Sequence, residues 1–449
     1  MESIGVRRAR LRPLTGAAAI VTAGALVAAC GSSSSSSGST STTTAPTTSV
    51  SSGSTATTTG GTAKAPSGTP YYIGAELSLT GAYASFETPM LSGLQVAVEE
   101  INASGGVLGH PVALAYQSDG SDPTKVTPAL QSIFSGGRKF FYMLPNVLPN
   151  VTDIVLQYTQ KYGIASFDAG SGPGIFDVSQ HPYNYSIYPA NSVQIPAYLA
   201  AFNQLTGGAA SGVKLGVIND TEAADETLSG LIATGLKQAG GQVVDTESVD
   251  PTATDVSVQV QKAKQAGANV LEVQASGNIA TEVAEAVQQL DWTTVKIVVS
   301  PADNNAQTLS SIPKSVQAQY FGVGEQIYLR NSAGTGPLAK YQSFADLLSK
   351  TSGGINDLEI SANIADSAVL AAWAVNQAGT LDISKVSGVL NNLSTTPPPS
   401  NLLTWLPNPG WTAADHGFDH ANLNSTWWAL LNPGSPLQGT YPGQALTIP

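Results

Sequence analysis

Cys30 is the only cysteine among the 449 residues of the chain, and it stands directly before a run of serines. A single thiol cannot form an internal disulfide, so it could serve as a nucleophile, an intermolecular bridge or an attachment point. Upstream, residues 1–12 carry four arginines and one glutamate, and residues 14–29 are almost wholly small and apolar. A basic segment followed by a short apolar segment and small residues is typical of a secretory signal peptide.

The residues Val27-Ala28-Ala29-Cys30 resemble the lipobox of bacterial lipoproteins. The resemblance implies that the Cys30 thiol receives a diacylglyceryl group and that Cys30 becomes the mature N-terminus. Two alternatives remain, namely a chance cysteine in an ordinary signal peptide and a nucleophile. A nucleophile is disfavoured because this segment offers no folded surroundings to lower the pKa of a thiol. We expect a protein that is secreted across the cytoplasmic membrane and lipid-anchored on its outer face.

Few other residues have the pattern of a catalytic or metal centre. The chain contains none of the motifs G-x-S-x-G, G-x-x-x-x-G-K-[ST], H-E-x-x-H and G-x-G-x-x-G. His416 and His420 have the i, i+4 spacing that suits a metal on a helix, but the neighbouring Gly and Asp residues disfavour a helix. The sequence therefore predicts no enzyme, no cofactor and no metal site.

Composition limits the partners of the protein. The net charge is −12 and only 11% of the residues are charged, which argues against nucleic acid because phosphate contacts need cations. Residues 31–69 are nearly all Ser, Thr, Gly, Ala and Pro, so we predict a disordered tether. The body that follows is too long for one core, which predicts two domains. We expect this body to be a monomer.

The body repeats one pattern twice. Both copies place Leu-Ser-Gly-Leu in a first helix (91–94 and 228–231), close that helix with Gly-Gly, and open a second helix with Asp-Pro-Thr (122–124 and 250–252). Each copy reads strand–helix–strand–helix, which predicts a parallel sheet with right-handed crossovers. We interpret the shared order as a structural duplication. Common capping chemistry that arose twice is the alternative.

Local signals predict where the first helix of each copy begins and which face it buries. In the first copy, Thr88 is a candidate N-cap and Pro89 suits the first helical position. In the second copy, we predict that Leu228, Leu231, Ile232 and Leu236 share one face of the helix. The fold class predicted from these elements is α/β, with two doubly wound, Rossmann-like lobes.

In open parallel sheets, ligands bind beyond the carboxyl ends of the strands. Six predicted loops follow such ends: 78–87, 145–150, 168–174, 219–225, 274–278 and 302–306. Two lobes that face each other with these loops would form a cleft for a small ligand. The loops supply hydroxyls, amides, carboxylates and two aromatic side chains, Tyr83 and Phe86.

Residues 73–125 resemble the N-terminal segment of periplasmic binding proteins of the branched-chain amino acid (type I) family. The matching features are a long helix that ends in Ile101-Asn102-x-x-Gly105-Gly106 and a following strand that leads to Asp122-Pro123. The resemblance implies a receptor for ABC importers whose two lobes are joined by three crossovers, with the ligand cleft between them. It places the crossovers near Tyr188, near Tyr328 and at 420–425, and makes NSTWWALL a late strand of the second lobe.

The resemblance also gives domain boundaries and site residues. We predict a signal peptide over 1–29, a tether over 30–69, lobe 1 over 70–188 and 329–420, and lobe 2 over 189–328 and 421–449. The family's ligand-covering aromatic falls at Phe86, its serine pair at Asn146-Val147, and its ammonium-binding acid at Asp303. The predicted ligand-binding residues are Tyr83, Phe86, Asn146, Asp168, Ala169, Ser171, Asp220, Thr221, Gln274 and Asp303.

The function that follows is a lipid-anchored solute-binding protein of an ABC importer. Its expected partners are a small polar solute (an amino acid or a related amide or carboxylate), the transmembrane permease subunits and the membrane that holds its lipid. The alternative is a sensory module of the same fold, in which closure around the solute signals to a partner without transport.

Overall fold

The computed structural model describes residues 65–81, 83–147, 151–169, 176–275, 278–300, 303, 306–404, 406, 409–418, 428–432 and 437–448. All of them belong to one compact unit, residues 61–449. Cys30, the predicted signal peptide and most of the predicted tether lie outside the described residues.

The first sheet contains, among the described residues, five parallel strands in the order β2-β1-β3-β4-β5. Their bounds are β1 Tyr71–Leu77, β2 Val112–Ser118, β3 Phe140–Leu144, β4 Ser166–Asp168 and β5 Asn184–Ser186. Every residue of β3, β4 and β5 is buried. This continuous burial is expected where helices cover both faces of a parallel sheet.

The second sheet has, in the described part of the chain, seven strands in the order β12-β11-β10-β9-β8-β6-β7. Their bounds are β6 Lys214–Asp220, β7 Gln242–Val249, β8 Val270–Gln274, β9 Lys296–Val299, β10 Tyr320–Glu325, β11 Trp428–Leu431 and β12 Gly443–Ala445. Strands β6 to β10 are parallel, whereas β11 and β12 join antiparallel at one edge. The prediction that NSTWWALL contributes a late strand to this sheet is confirmed.

The helices alternate with the strands as the sequence predicts. Their bounds are α1 Ala84–Ala103, α2 Val126–Ile133, α3 Thr152–Tyr162, α4 Asn191–Leu205, α5 Ala223–Gln238, α6 Ser257–Gln265, α7 Ile279–Gln289, α8 Ala306–Ser311, α9 Gln342–Leu348, α10 Leu358–Ala378 and α11 Ile383–Leu390. The two sheets share one topology, because β2-β1-β3 corresponds to β7-β6-β8 and the repeated Leu-Ser-Gly-Leu lies in α1 and in α5. The predicted duplication and fold class are confirmed.

Two local predictions about the repeated helix are wrong. Helix α1 begins at Ala84, so Thr88 is no cap and Pro89 lies inside the helix. Pro89 has no N–H to donate to the Ser85 carbonyl, but Ser85 is exposed, so water can donate a hydrogen bond to that carbonyl. In α5, Leu228, Ile232 and Leu236 share a buried face, but Leu231 is 38% exposed, on the solvent side of the helix.

Helix α10 is the centre of lobe 1, which we define as the first sheet with the helices packed against it. Of the described helices, only α10 has the length and apolar composition of a membrane-crossing segment, and 89% of its most apolar window is buried inside the fold. It packs closely on α1, where the Ser361 hydroxyl donates to the Pro89 carbonyl at 3.0 Å. On the sheet side, the Tyr142 hydroxyl lies 2.8 Å from Ser367 Oγ.

The chain passes between lobe 1 and lobe 2, the second sheet with its helices, after β5 and after β10. Helix α4 packs on lobe 2, where Tyr198 accepts a 2.8 Å hydrogen bond from Gln274. After β10 the chain returns to lobe 1 through α9 to α11, and the Tyr185 hydroxyl lies 2.6 Å from Ser387 Oγ of α11. These two passages lie next to Tyr188 and Tyr328, respectively. The predicted third crossover, at 420–425, lies outside the described residues.

The last residues of the predicted tether contact the body. The Ser67 amide donates to the Gly109 carbonyl at 2.9 Å, and His110 Nδ1 lies 2.8 Å from the Thr69 carbonyl oxygen. The His110 ring also stacks on Tyr71, with 4.4 Å between the ring centroids. The boundary predicted at residue 69 is therefore a few residues too late, because this end of the segment is bonded to the turn before β2.

Candidate functional site

The carboxyl ends of β1, β2 and β3 meet at one edge of the first sheet, and a buried polar network joins them there. Asp119, just after β2, accepts from the Ser78 hydroxyl at 2.7 Å, from Asn146 Nδ2 at 3.0 Å and from the Ser121 amide at 2.8 Å. Ser78, Asp119 and Asn146 are almost completely buried. The network fixes the three loops relative to one another.

Glu87, in the first turns of α1, reaches back to the same strand ends. One of its carboxyl oxygens accepts from the Ser78 amide and the other from the Val147 amide, the latter at 3.2 Å. The side chain is wholly buried, and burial raises its pKa to about 8. Glu87 thus bonds two backbone N–H groups that converge at the edge of lobe 1.

Glu76 lies beneath these loops on β1. Its side chain is fully buried, and a hydrogen bond from the Asn146 side chain favours its charged form. Burial, and after it the charge of Asp119, raises the pKa of Glu76 to about 8. An uncompensated carboxylate is costly in such surroundings, so the group is held largely protonated at neutral pH.

The strand ends of lobe 2 are also acidic. Asp220, at the end of β6, accepts from the Glu222 amide at 2.9 Å, and Asp303 accepts from the Ser300 hydroxyl at 3.0 Å. Burial raises the pKa of Asp303 to about 8, with the charges of Asp225 and Asp220 adding to the shift. A negative field therefore surrounds the buried Asp303 carboxyl.

Tyr83 lies at the strand-end edge of lobe 1. This residue precedes α1 and is partly buried, and its amide donates to Ser121 Oγ at 3.2 Å. Burial raises the pKa of the Tyr83 hydroxyl, and the charge of Glu222, from lobe 2, is the next cause. Glu222 is exposed at the start of α5.

Several predicted site residues lie at these edges. Tyr83, Phe86 and Asn146 belong to lobe 1, and Phe86 is partly buried against its core. The predicted residues of lobe 2 at the corresponding strand ends are Asp220, Thr221, Gln274 and Asp303. Thr221 is exposed, whereas Gln274 is fully buried.

The remaining predicted residues follow β4 at the same edge of the first sheet or lie outside the described residues. Asp168, at the end of β4, is buried and accepts from Asn184 Nδ2 at 3.3 Å. Ala169 follows it and is partly buried against the core of lobe 1. Ser171 lies outside the described residues, as does the lipid attachment predicted at Cys30.

Sequence reasoning missed Glu76, Glu87, Asp119 and Glu222 as site residues. A signal for Glu76 is present in the sequence: a single acid stands in the otherwise uncharged strand YYIGAEL, at a position that the fold buries. Acids are almost never fully buried unless paired, so such a residue marks either a buried network or a ligand site. Glu272 in the middle of β8 is a second example, since it is fully buried and bonds Ser229 at 3.2 Å.

A further group of buried acids borders the passages between the lobes, and we name it the crossover cluster: Tyr188, Glu325, Tyr328, Asp357 and Glu359. Tyr328 donates to Asp357 at 2.7 Å, and Glu359 accepts from the Glu325 amide at 3.2 Å. Burial raises the pKa of Glu359 to about 8 and raises that of Glu325 well above its usual range, where the charge of Glu359 contributes. The Glu325 and Glu359 carboxyl groups beside the passages are thus largely protonated at neutral pH.

In the described part of the chain, no group of three or more His, Cys, Asp or Glu side chains is placed to hold a metal ion. His416 stacks on Tyr185 with 4.0 Å between ring centroids, and its Nδ1 lies 3.1 Å from the Asn184 carbonyl oxygen. Burial lowers the pKa of His416 to about 4, so the ring is neutral in the fold. Its neighbour in the sequence motif, His420, lies outside the described residues.

Comparison with known proteins shows which family has this architecture. The family model described as "Periplasmic binding protein" matches residues 70–422. The Leu/Ile/Val-binding protein BraC3 of Rhizobium johnstonii is 35% identical over 68 residues, which are 15% of this chain and 18% of that protein. The match to this relative therefore spans less than a fifth of its length.

Solved structures share the fold at low sequence identity. The fatty acid ABC transporter substrate-binding protein of Thermomonospora curvata has a TM-score of 0.63 and 17% identity, covering 86% of this chain and 94% of its own. The branched-chain amino acid transporter substrate binding protein LivJ of Streptococcus pneumoniae, in complex with isoleucine, has a TM-score of 0.60 and 16% identity, covering 85% and 99%. Together with the match of the family model over most of the body, these likenesses mean that the chain belongs to the periplasmic binding protein family.

Proposed function

We propose that the protein is an extracytoplasmic solute-binding lipoprotein that delivers a small polar solute to an ABC importer. The observation that carries the proposal is the gathering of buried polar side chains at the carboxyl ends of the strands in both lobes, Ser78, Asp119 and Asn146 in lobe 1 and Asp220 and Asp303 in lobe 2. Ligands of open parallel sheets bind at such edges. The chain passes between the lobes after β5 and after β10, so a change in the angle between the lobes would open or close the space between their strand ends.

The membrane location rests on the sequence. The signal peptide, the lipobox ending at Cys30 and the Ser/Thr-rich tether have the order of a lipoprotein that holds its folded body off the membrane. A flexible segment of about 35 residues has a root-mean-square length of roughly 30–35 Å, enough to let the body turn freely above the bilayer. The permease subunits of an importer are the partner that this placement serves.

The chemistry of the described residues supports binding rather than catalysis. The buried acids at the strand ends bond backbone amides, hydroxyls and an amide side chain, and no nucleophile paired with a base is found among the residues named there. The fold relatives named above are called substrate-binding proteins of ABC transporters, and their names refer to solutes as different as a fatty acid and isoleucine. The solute of this chain must therefore be inferred from its own residues.

Purification of the protein under native conditions, followed by release and mass spectrometry of any small molecule, tests the proposal. We expect one solute at close to one molecule per chain, and rebinding in titration calorimetry. Phe86→Ala should weaken rebinding, because it removes apolar contact at the edge of lobe 1. The matched control is Tyr162→Ala, an aromatic residue 48% exposed on α3, which should leave affinity unchanged. Failure to retain or rebind any solute would contradict the proposal.

A further inference from the structure

The outer edge of β2 is an open hydrogen-bonding surface at one side of lobe 1. We infer that β2 is a docking strand for a second copy of this chain, whose own β2 pairs with it antiparallel about a two-fold axis at Tyr116. The inference goes beyond solute binding and replaces the expectation of a monomer. It rests on the free backbone groups of β2, on a comparison with its counterpart β7, and on the side chains and charges that the pairing would bring together.

Alternate residues of β2 turn their backbone groups away from the sheet. At the start of the strand, the Tyr71 amide of β1 donates to the Pro111 carbonyl at 2.9 Å. At the end, the Asp119 amide donates to the Leu77 carbonyl of β1 at 3.1 Å. Because every second residue of a strand faces a given neighbour, the odd-numbered residues of β2 bond β1 and the even-numbered ones face outward. The outward backbone groups belong to Val112, Leu114, Tyr116 and Ser118.

The outward groups of Val112 are already used, whereas the next ones are open. Asn102, near the end of α1, donates from Nδ2 to the Val112 carbonyl at 2.9 Å and accepts from the Val112 amide at 2.7 Å. Among the described residues, no hydrogen bond from outside the sheet reaches the backbone of Leu114, Tyr116 or Ser118. This open span is symmetric about Tyr116. A two-fold axis there would pair Leu114 of each copy with Ser118 of the other and use the whole span.

Strand β7 is the counterpart of β2 in lobe 2, and it is protected in ways that β2 is not. Natural edge strands are defended against pairing by charges, proline, bulges or shortness. Strand β7 carries Asp245 and Glu247, and its pairing with β6 shifts register between Leu215 and Gly216. Strand β2 has seven residues, none of them charged and none proline, and it pairs with β1 without a register shift. The duplication therefore shows one edge that is defended and one that is not.

The other outer strands of the two sheets are covered or short in the described part of the chain. At the far side of the first sheet, the Ser186 amide of β5 donates to the His416 carbonyl at 3.0 Å. Trp411 Nε1 donates to the Ser186 carbonyl, also at 3.0 Å. At the far side of the second sheet, β12 has three residues. Of the described edges, β2 is thus the long, uncharged one that stays open.

The side chains on both faces of β2 fit this pairing. Tyr116 is 42% exposed, and the two-fold axis would set it against its own copy, where cross-strand aromatic pairs stabilise a sheet. On the other face, a groove of about 290 Å³ lies between β2 and the end of α2, and its lining includes Ala115, Ser132 and Arg138. In this register Ala115 stands opposite Gln117 of the second copy. The glutamine amide would then enter a groove that offers hydroxyls and a guanidinium group.

The charges at the two ends of β2 favour an antiparallel neighbour. Arg138 lies 5.6 Å from the centre of the Tyr72 ring, beside the amino end of β2. The turn after the carboxyl end carries Asp119 and Asp122, of which Asp122 is also paired with Lys125 at 3.2 Å. An antiparallel copy sets the guanidinium of each chain towards the acidic turn of the other, whereas a parallel copy would set like charges together.

Sedimentation equilibrium tests the inference on the chain with Cys30→Ser, which removes the predicted lipid and leaves no cysteine. We expect the mass to rise from one chain to two as the protein concentration increases. One chain at every soluble concentration would overturn the inference and would leave the edge to an extended segment of another protein. Solute retention is measured separately, so this failure would leave the proposed function intact.

Two lysine variants locate the contact. Tyr116→Lys would place two like charges directly opposite each other, so it should weaken dimerisation at least about tenfold, or about 1.4 kcal/mol. Thr246→Lys is the matched control, because Thr246 is exposed on β7 and the change adds the same charge. Circular dichroism checks that both variants are folded. Unchanged dimerisation of Tyr116→Lys, or equal losses in the two variants, would overturn the inference.

Crosslinking then tests the register. On the Cys30→Ser background, a short bismaleimide should join Tyr116→Cys chains into dimers, because the two cysteines would face each other across the axis. Thr246→Cys chains should remain single on denaturing gels. Equal yields of crosslinked dimer at the two positions would rule out pairing through β2.

Discussion

The repeated Leu-Ser-Gly-Leu motif allows one mutation to be made twice with opposite expected effects. In α1, a Cβ atom on Gly93 would lie 2.3 Å from the carbonyl oxygen of Ser361 in α10. In α5, a Cβ atom on Gly230 would meet nothing within 4 Å. Both glycines lie inside helices with the same local sequence, so Gly93→Ala and Gly230→Ala differ mainly in what lies opposite.

The expected magnitudes follow from these distances. Alanine is favoured over glycine in a helix interior by about 0.8–1 kcal/mol, so Gly230→Ala should raise the free energy of unfolding by up to that amount. Gly93→Ala gains the same preference, but α1 and α10 would have to separate to restore even a 3.0 Å contact with a backbone atom. Overpacking of this kind costs roughly 1–3 kcal/mol and occasionally more, so the net effect should be a loss of stability.

Thermal and guanidinium unfolding, followed by circular dichroism on the purified body, measure both variants against the wild type. We expect the melting temperature of Gly93→Ala to fall and that of Gly230→Ala to stay the same or rise slightly. The Gly93 variant should also lose stability in the phase that reports lobe 1, if the lobes unfold separately. Shifts of the same sign and size in the two variants would refute the assignment of Gly93 to the helix contact.

Four further predictions concern charge, attachment and the tether. Burial raises the pKa values of Glu76, Glu87, Glu272 and Asp303 to about 8, so at pH 6.5 the folded state holds protons that the unfolded state has lost. This contribution to stability is lost as the pH rises through 8, so calorimetry should give a lower melting temperature at pH 8.5 than at pH 6.5. His416, whose pKa is lowered to about 4, titrates below this range. A flat or rising profile would contradict this sign. Asp303→Asn should keep a partner for Ser300 and raise stability at pH 8, yet weaken binding of the co-purified solute by about tenfold or more in calorimetry; unchanged affinity would place Asp303 outside the site. Cys30→Ser should move the protein from the membrane to the soluble fraction, and retention in the membrane would rule out the lipid anchor. Deletion of residues 31–64 should leave the melting temperature unchanged. Deletion of residues 31–69 should lower the melting temperature, because the Ser67 and Thr69 contacts are lost. Equal melting temperatures for both deletions would contradict the revised boundary.

The sheet strands are the part of the fold that sequence patterns predict well. Strands such as β3 and β7 were predictable because runs of apolar or alternating residues between turn signals reflect local burial directly. The start of α1 was not, because Pro89 is common at helix starts and nothing local shows that the helix extends back to Ala84. The exposure of Leu231 likewise depends on which neighbours happen to cover α5.

The candidate site shows a similar division. Positions at strand ends, such as Asp220 and Asp303, follow from topology alone. The hydrogen bonds of Glu87 do not, because they join a helix to the ends of two strands. In the sequence, Ser78 lies nine residues before Glu87 and Val147 lies 60 residues after it. Long-range contacts of this kind leave no periodic pattern in one sequence. Only the unusual position of Glu76 within a strand hinted that buried acids gather there.

The place of α10 in the core of lobe 1 has a consequence for the order in which the chain can fold. Strands β1 to β5 end at Ser186, but the helix that covers α1 begins only at Leu358, after most of lobe 2 has been made. An emerging chain therefore has the strands of lobe 1 long before it has their cover, and this contact of high sequence separation slows folding. A fragment that ends near residue 190 should expose the face of α1 around Gly93 and aggregate, whereas the complete chain can bury it. Lobe 1 therefore completes its core only late in synthesis, after strands β6 to β10 of lobe 2 have been made.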